Sequence, residues 1–259
     1  MRVFTLRCRV QGKTITLRIH RHSLFVPNLM SWFSAARMHV FPGETFCDVG
    51  VGSGLHAILA AKLGARRVYG VDINPVALRF ARANARLNGV GGVCSFLRGS
   101  LVEPLIARRL RVDAMIYNAP QFPGRSVDPA LPEGLRRSVD GGPGGGDMNA
   151  RFLSSAWRAL APHGRIYNPV VGWSQPELTR RAIKEGGYDK RELARVHVPV
   201  WGRGNHTRAW LLQRPGRHVF RLRSPAARAA TARIYELRID GRPAVTPRKS
   251  NAAEVDFRC

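Results

Sequence analysis

The amino-acid sequence predicts an α/β fold, in which buried strands alternate with helices on a mainly parallel sheet. An apolar run at residues 45–49 passes through a glycine-rich stretch, DVGVGSG, into a helical apolar pattern at 55–63. A second apolar run, at 67–71, ends in Asp72 and is followed by another helical pattern. The 259 residues are 44% hydrophobic, which is enough for one such domain with an appendage.

The chain begins with a predicted β-hairpin. Apolar and polar residues alternate over 3–10 and again over 14–19, with a Gln-Gly-Lys turn between the two runs. One face of this hairpin carries arginines, and it is either a solvated outer face or a surface that follows phosphates. A loop and an amphipathic helix at 23–38 complete a predicted N-terminal unit, residues 1–40.

The glycine-rich turn at 48–54 predicts a site for a bound cofactor. Glycines let the backbone approach a ligand closely, and the helix that follows directs its first N–H groups at it. The dinucleotide fingerprint G-x-G-x-x-G fits poorly, because Leu55 stands where that motif has its third glycine. Asp48 would repel a pyrophosphate and attract an ammonium group, whereas Asp72 is placed to accept hydrogen bonds from ribose hydroxyls. Together these acids indicate a ligand with an adenosine at one end and an amino acid at the other.

The strand–helix pattern continues beyond this turn. A helix is predicted at 76–88, a strand at 93–97 and a further buried strand at 112–117. The segment 124–146 is rich in Gly and Pro, which is typical of a long functional loop. Chemistry is expected where the strand at 112–117 ends.

The stretches DVGVGSG and VYGVDINP resemble motifs I and II of the class I S-adenosylmethionine-dependent methyltransferases. The resemblance runs from about residue 25 to about residue 214, and residues 41–214 would form the methyltransferase domain. It implies a Rossmann-like sheet of seven mostly parallel strands, with helices on both faces, and S-adenosylmethionine as the cofactor. The cofactor-binding residues that it implies are Asp48, Gly50, Gly52, Gly54, Asp72, Ile73, Ser100, Leu101 and Asn118.

Residues 118–121, Asn-Ala-Pro-Gln, resemble the N-P-P-Y motif of methyltransferases that modify amide or amino nitrogen on a planar group. A conjugated nitrogen is a weak nucleophile, so its NH2 group must be held in line with the sulfonium methyl. The Asn118 side-chain oxygen and the carbonyl that follows can each accept a hydrogen bond from that group. Asn118, Ala119 and Pro120 are therefore the expected catalytic residues, and no metal is required.

Departures from the family pattern affect both ends of the predicted site. Ala119 replaces the first proline of the motif, and Gln121 replaces the aromatic residue that stacks on the planar target. Phe122 is the nearest substitute for that aromatic residue, and Phe25 lies in a segment that closes over the cofactor and the target in related enzymes. Gln121, Phe122 and Phe25 are the expected substrate contacts. Ser100 stands where the family has an acid that bonds the adenine amine, and its hydroxyl can accept one hydrogen bond.

A third stretch, DGGPGGGD at 140–147, resembles the D-G-G-x-D-G stretch of the release-factor glutamine N5-methyltransferases. Matches continue in order as far as 202–208. That family carries a helical N-terminal domain that grips the release factor, whereas this chain has only a short basic hairpin before residue 25. The resemblance therefore implies methyl transfer to nitrogen and leaves the acceptor open.

The charge of the chain predicts an anionic partner. Lys and Arg number 42 against 17 Asp and Glu, which gives a formal net charge of +25. Such a charge favours RNA, DNA or a ribonucleoprotein, although a solvated basic surface has the same composition. Three functions remain open: an N-methyltransferase for a nucleic acid or a translation protein, a methyltransferase for a small molecule, and a non-catalytic module that binds the cofactor or RNA.

The remaining features concern cysteines, membranes and the C-terminal region. The four cysteines lie apart without metal-ligand spacing, so we expect neither disulfides nor a metal site. No apolar stretch approaches the roughly 20 residues of a membrane span, and the N-terminus lacks a signal-peptide core, so we expect a cytoplasmic protein without a membrane partner. Residues 215–259 predict a β-rich extension, with alternation at 218–223 and a turn signal at 240–241, that could pair with the N-terminal hairpin.

Overall fold

The computed structural model describes residues 3–20, 23–174, 176–199 and 229–239 of the chain. It confirms the α/β fold, with an N-terminal hairpin beside a main sheet of seven strands. The hairpin consists of β1 (Val3–Val10) and β2 (Lys13–His20). The strands of the main sheet are β3 (Thr45–Val49), β4 (Arg67–Asp72), β5 (Cys94–Arg98), β6 (Val112–Tyr117), β7 (Leu160–Val171), β8 (Asp189–Pro199) and β9 (Ala229–Arg238).

The main sheet has the strand order β5-β4-β3-β6-β7-β9-β8. Strands β3 to β7 run parallel to one another, and β9 is antiparallel to both β7 and β8. The chain builds the sheet outward from β3 to β5 and then crosses to the other side of β3 with β6. The direction of building therefore reverses between β3 and β6, and the carboxyl ends of strands at such a reversal are where ligands bind in these sheets.

Strand β9 corrects one expectation. The sequence places residues 215–259 in an extension that could pair with the N-terminal hairpin, but β9 lies inside the main sheet between β7 and β8. Ile234 and Leu237 are fully buried there. The sheet therefore requires residues beyond 214, the expected end of the methyltransferase domain. The features predicted at 202–208, 218–223 and 240–241 lie outside the described residues.

Helices cover both faces of the main sheet, as expected. They are α1 (Leu29–Arg37), α2 (Leu55–Lys62), α3 (Pro75–Leu87), α4 (Glu103–Ala107), α5 (Glu133–Val139), α6 (Asp147–Ala156) and α7 (Pro176–Glu185). The first three pack with the hairpin on one face, in a core that includes Phe46 and Ile58. Helices α4, α6 and α7 pack on the opposite face, in a core that includes Leu105 and Phe152. Within the described ranges, none of the helices is long and apolar enough to cross a membrane.

The hairpin is held against α3 by asparagine side chains as well as by apolar contacts. Its buried face consists of Leu6, Cys8, Val10, Ile15, Leu17 and Ile19. On the edge of β2, Asn84 accepts the Arg18 N–H at 2.8 Å and donates to the Arg18 carbonyl at 3.0 Å. Asn88 bonds the N–H and carbonyl of Thr16 in the same way, at 3.0 and 2.7 Å. These side chains take the place of a neighbouring strand, so β2 has no open hydrogen-bonding edge at these two residues.

The segment 124–146 contains regular structure that its composition did not predict, including helix α5. The Phe122 N–H donates to the Val139 carbonyl at 2.9 Å, and the Gly141 N–H donates to the Phe122 carbonyl at 2.8 Å. A Cβ atom on Gly141 would lie 2.7 Å from the Pro120 carbonyl oxygen. Glycine is therefore required at position 141 because the segment packs directly on the backbone of the predicted catalytic motif.

Candidate active site

A cavity of about 580 Å³ lies at the carboxyl ends of β3, β4, β5 and β6. This volume is in the range of sites for small molecules and cofactors. The residues expected at the site that line the cavity are Phe25, Gly50, Gly52, Asp72, Ile73, Ser100, Leu101, Asn118 and Pro120. Five expected residues are not in its wall: Asp48, Gly54, Ala119, Gln121 and Phe122.

The glycine turn forms the floor of the cavity. The N–H groups of Gly50 and Val51 both donate to the Val71 carbonyl, at 2.8 and 2.9 Å, and this bends the chain sharply after β3. Gly54 has a φ of +94°, and a Cβ atom there would lie 3.3 Å from Ile58 and 3.4 Å from Ala81. Gly54 therefore contributes to the tight packing of the turn on α2 and α3 rather than to the cavity wall.

Asp72 lies in the wall, at the end of β4. Its carboxylate accepts the Gly52 N–H at 3.0 Å and the Asn74 N–H at 2.9 Å, so it joins the glycine turn to the start of α3. Burial raises the pKa of this carboxyl group, and the hydrogen bonds from Asn74 and Gly52 oppose that rise. Because each carboxylate oxygen can accept two hydrogen bonds, Asp72 retains the capacity to accept a hydrogen bond from a ligand hydroxyl.

Asp48 lies beneath the glycine turn and is 1% exposed. Its carboxylate accepts the Ala57 N–H at 3.0 Å and lies 3.8 Å from Nδ1 of His56. Burial raises the pKa of Asp48 well above its usual value and lowers the pKa of His56 to about 4. The sequence predicts that Asp48 contacts a ligand ammonium group directly. In the structure its carboxylate instead joins β3 to the first turn of α2.

Part of the cavity wall is formed by residues that follow β4 and β5. Ile73 is 51% exposed although it lines the cavity, which leaves an apolar side chain available to a ligand. Ser100 and Leu101 line the same cavity, and Leu101 has a φ of +50°. The Gly99 N–H donates to the Asp72 carbonyl at 3.2 Å, which fixes the turn that carries Ser100. Ile73, Ser100 and Leu101 therefore all contribute to the cavity wall.

Asn118 follows β6 and is bonded to α1. Its Nδ2 donates to Oγ of Ser31 at 3.2 Å. The Ser31 hydroxyl donates in turn to Oδ1 of Asn28, which caps α1, and it accepts the Asn28 N–H. Because the hydroxyl hydrogen is used by Asn28, Ser31 can only accept from Asn118. Oδ1 of Asn118 is therefore the end of the amide that is left for the cavity, and no described residue donates a hydrogen bond to it.

The two residues after the motif are turned away from the cavity, which corrects their expected role as substrate contacts. Gln121 is 5% exposed; it donates to the Pro169 carbonyl at 3.0 Å and accepts the Val171 N–H at 2.8 Å. Phe122 is 9% exposed and stacks on Trp173, with ring centroids 5.2 Å apart. A polar residue occupies position 121 because it completes the hydrogen bonds at the end of β7.

Among the cavity residues that sequence reasoning missed are four on helices α1, α2 and α5. Ser31 and His56 line the cavity from α1 and α2, and α5 adds Glu133 and Arg137. The pattern Asn28-x-x-Ser31 is a signal for a helix start, but it does not indicate contact with Asn118. The α5 residues belong to the segment that composition assigned to a loop.

Comparisons with known proteins agree with this geometry. Residues 32–118 match the family model described as ribosomal protein L11 methyltransferase (PrmA). The "Putative protein N5-glutamine methyltransferase" of Methanocaldococcus jannaschii is 32% identical over 152 residues, which are 59% of this chain and 74% of that protein. The ribosomal protein L11 methyltransferase of Geobacillus thermodenitrificans is 39% identical over 64% of this chain and 45% of its own length.

The fold has solved relatives as well. Trm5 of Methanocaldococcus jannaschii, in complex with adenosine, has a TM-score of 0.59 and 15% identity, covering 93% of this chain and 57% of that one. Trm5b of Pyrococcus abyssi has a TM-score of 0.55 and 19% identity, and the match covers 88% of this chain and 54% of that one. At this identity the likeness concerns the fold alone. The chain spans less than half the length of the L11 methyltransferase from Geobacillus.

A seven-stranded sheet with an antiparallel β9, a glycine turn after β3 and an acid after β4 define a methyltransferase that uses S-adenosylmethionine. The chain belongs to the class I S-adenosylmethionine-dependent methyltransferases, in the family of the Methanocaldococcus jannaschii relative. The residues of the cavity fit this cofactor, since Asp72 offers a carboxylate to ribose and the glycine turn offers a surface without side chains.

Proposed function

We propose that this protein methylates a side-chain amide nitrogen of a protein of the translation machinery. The observation that carries the proposal is the orientation of the Asn118 amide, whose Nδ2 is engaged by Ser31 and whose Oδ1 is left for the cavity. Two of the relatives described above are named as methyltransferases of protein glutamine and of ribosomal protein L11. These names and the orientation of Asn118 together support nitrogen methylation of a translation component.

The cofactor supplies a sulfonium methyl group, the electrophile of the reaction. In the proposed arrangement Asp72 holds the ribose, and the glycine turn with Gly50 and Gly52 lies against the amino-acid part. Ile73, Leu101 and Ser100 enclose the adenine. Asp48 acts indirectly, through its hydrogen bond to Ala57 at the start of α2.

The acceptor NH2 group is held by Oδ1 of Asn118, which accepts one of its N–H groups. This orients the amide and directs the nitrogen lone pair along the line of transfer. Bound S-adenosylmethionine would supply the methyl group: the nitrogen–methyl bond would form as the sulfur–methyl bond breaks, and sulfur would keep the bonding electrons. The methylated nitrogen then loses one proton to water, because an N-protonated amide is a strong acid.

The inward orientation of Gln121 and Phe122 supports an aliphatic amide over a nucleobase. Recognition of a splayed base uses aromatic stacking, which contributes about 1–3 kcal/mol per base. The rings in the cavity wall belong to Phe25, His56 and Tyr117, and none of them follows Asn118 as the stacking aromatic residue of the family motif does, whereas the amide of a flexible side chain needs only a hydrogen-bond acceptor.

The proposal is tested with S-adenosylmethionine that carries a labelled methyl group, incubated with the protein and a cell extract that is then fractionated. We expect label in protein that resists ribonuclease, located by mass spectrometry on an amide side chain. Asn118→Ala should abolish labelling and retain cofactor binding measured by calorimetry. Label in RNA or in small molecules would show that the acceptor is wrong, and no label with unchanged cofactor binding would indicate a non-catalytic module.

A further inference from the structure

The N-terminal part of the chain contains no acidic residue before Glu44. The basic residues in that stretch are Arg2, Arg7, Arg9, Lys13, Arg18, Arg21 and Arg37. The hairpin and α1 therefore lie in one of the two longest stretches of the chain without an acidic residue, the other being residues 193–235. A surface of one sign over such a length raises the local concentration of polyanions.

The hairpin separates these cations from its apolar side chains. Arg7, Arg9, Lys13 and Arg18 are exposed, and the opposite face is buried against the domain. Across the two strands Arg7 is opposite Thr16, Arg9 is opposite Thr14, and Arg18 is opposite Thr5. The outer face over these pairs therefore presents only guanidinium and hydroxyl groups, both of which donate hydrogen bonds to phosphate oxygens.

These cations have no ion-pair partners among the described residues. Among the described residues, the arginines that form ion pairs lie on α5, β7, α7, β8 and β9, such as Arg137 with Glu133 and Arg181 with Glu185. On the hairpin, the side chains of Arg7 and Arg9 project on the same face about 7 Å apart. Their charge is consequently available to an external anion rather than neutralised within the fold.

The hairpin is rigid and leads to the mouth of the cavity. Its turn is fixed to the end of α1 by Gln11, which donates to the Ala35 and Met38 carbonyls at 2.7 and 2.8 Å. At its other end, β2 continues into residues 23–25, which line the cavity, and Asn74 donates to the Ser23 carbonyl at 3.2 Å. Eight residues in each strand span about 25 Å, so a chain bound along this face would end beside the site of methyl transfer.

We propose that the outer face of the hairpin, carrying Arg7, Arg9, Lys13 and Arg18, binds the phosphate backbone of RNA. This surface adds RNA to the partners implied by the proposed function, because the enzyme would then bind its acceptor protein as part of a ribonucleoprotein. It rests on charge and geometry alone and does not depend on which atom is methylated.

The test measures RNA affinity without methyl transfer. A fluorescein-labelled 20-nucleotide oligouridine is titrated with the full chain at several salt concentrations, and anisotropy is recorded. The variant Arg7→Gln/Arg9→Gln/Arg18→Gln should bind at least ~10-fold more weakly at low salt, and the slope of log Kd against log salt should fall by about 2, since each phosphate contact to a single strand contributes roughly 0.7. Replacing the same three residues by Lys should restore most of the affinity.

The matched control is Arg66→Gln/Arg67→Gln/Arg109→Gln, which removes three exposed arginines at the amino ends of the strands, away from the cavity. This control should keep the RNA affinity and salt slope of the unaltered protein. Equal losses in the two triple variants would show that only net charge matters, and no loss in the hairpin variant would overturn the proposal directly. Competition by poly-glutamate as strong as that by RNA at equal charge would contradict RNA as the partner.

Cofactor binding and thermal unfolding are measured on every variant, and both should be unchanged because the substituted side chains are exposed. If the triple variant does not fold, each single Gln substitution should lower the salt slope by about 0.7. Failure of the RNA assay together with labelled protein in the extract would reject this surface and leave the proposed function standing. RNA binding by the hairpin without labelled protein would support the surface and reject the proposed function.

Discussion

At the scale of single residues, the orientation of one side-chain amide determines what the cavity can hold. Asn118 can present either an acceptor or a donor to the cavity, and only the acceptor suits an incoming NH2 group. Ser31 selects the acceptor orientation. Its hydroxyl hydrogen is donated to Asn28, so its oxygen can only accept a hydrogen bond, and Nδ2 of Asn118 donates it. A residue in the first turn of α1 thus positions a residue at the end of β6.

We expect Ser31→Ala to lower kcat about 5-fold and to leave cofactor affinity nearly unchanged. The loss corresponds to one hydrogen bond of about 1 kcal/mol, which no longer holds the amide in one orientation. Steady-state kinetics on the labelled acceptor provide the measurement, with Ser31→Thr restoring activity by returning the hydroxyl. Ser34→Ala is the control, since Ser34 bonds His56 and the α1 backbone and does not contact Asn118. Equal effects of the two alanine substitutions would indicate damage to α1 instead.

Asp72 is predicted to dominate cofactor affinity among the acids of the site. Asp72→Ala removes the carboxylate from the wall and also leaves the Gly52 and Asn74 N–H groups without their acceptor. Calorimetry should show weaker binding of S-adenosylmethionine by roughly 1–3 kcal/mol, the cost of losing a charged hydrogen-bonding partner. Asp113→Ala is the control, because Asp113 accepts the Thr45 N–H at 2.7 Å at the far end of the sheet. An affinity unaffected by Asp72→Ala would refute the assigned position of the ribose.

At the scale of secondary-structure elements, α3 connects the cofactor site to the hairpin. Its first turn follows Asp72, and its middle carries Asn84, which is fully buried and also donates to the Ser53 carbonyl of the glycine turn at 2.9 Å. A single asparagine therefore bonds both β2 and the turn beneath the cofactor.

Asn84→Ala should loosen the hairpin and destabilise the protein by about 2 kcal/mol or more. The substitution removes the partner of the Arg18 N–H and carbonyl, which are partly buried, and of the buried Ser53 carbonyl, at about 1–3 kcal/mol per buried group before relaxation. Hydrogen exchange should become faster at the Arg18 amide, and urea unfolding should give the stability loss. Exchange as slow as in the unaltered protein would mean that apolar contacts alone hold the hairpin.

At the scale of the whole molecule, the sheet is completed by a strand that comes late in the chain. β9 pairs with β7 over Ile166–Val171 and with β8 over its full length. Without it, two strands would lose their common neighbour and would expose unpaired backbone groups together with the apolar surface now covered by Ile234 and Leu237.

A chain that ends at residue 214 is therefore predicted not to fold, although the sequence pattern suggests a domain boundary there. A chain that ends at residue 239 retains β9 and is the matched control. Circular dichroism and cofactor binding should show native behaviour for the longer chain and none for the shorter one. A cooperative thermal transition in the shorter chain would establish that β9 is dispensable.

The part of the fold between residues 45 and 117 was readable from the sequence with little loss. Strands, helices and the glycine turn alternate there at short range, so each element is specified by its own apolar period and by the turn that ends it. The hairpin was equally clear, because alternation over 3–10 and 13–20 needs no distant partner. The antiparallel position of β9 could not be read from the sequence, since the pattern of a strand does not identify the strands beside it.

What the sequence by itself determined is the class of cofactor and the edge of the sheet at which the cavity lies. The glycine turn, Asp72 and Asn118 each follow a buried strand directly, and parallel strands bring their carboxyl ends to one edge of the sheet. What only the tertiary structure decided is how neighbouring side chains are used: Asp48 and Gln121 turn inward, and Ser31 reaches Asn118 across 87 residues of chain. These outcomes depend on packing between elements distant in sequence, and a local pattern carries no information about which distant group will satisfy a buried polar atom.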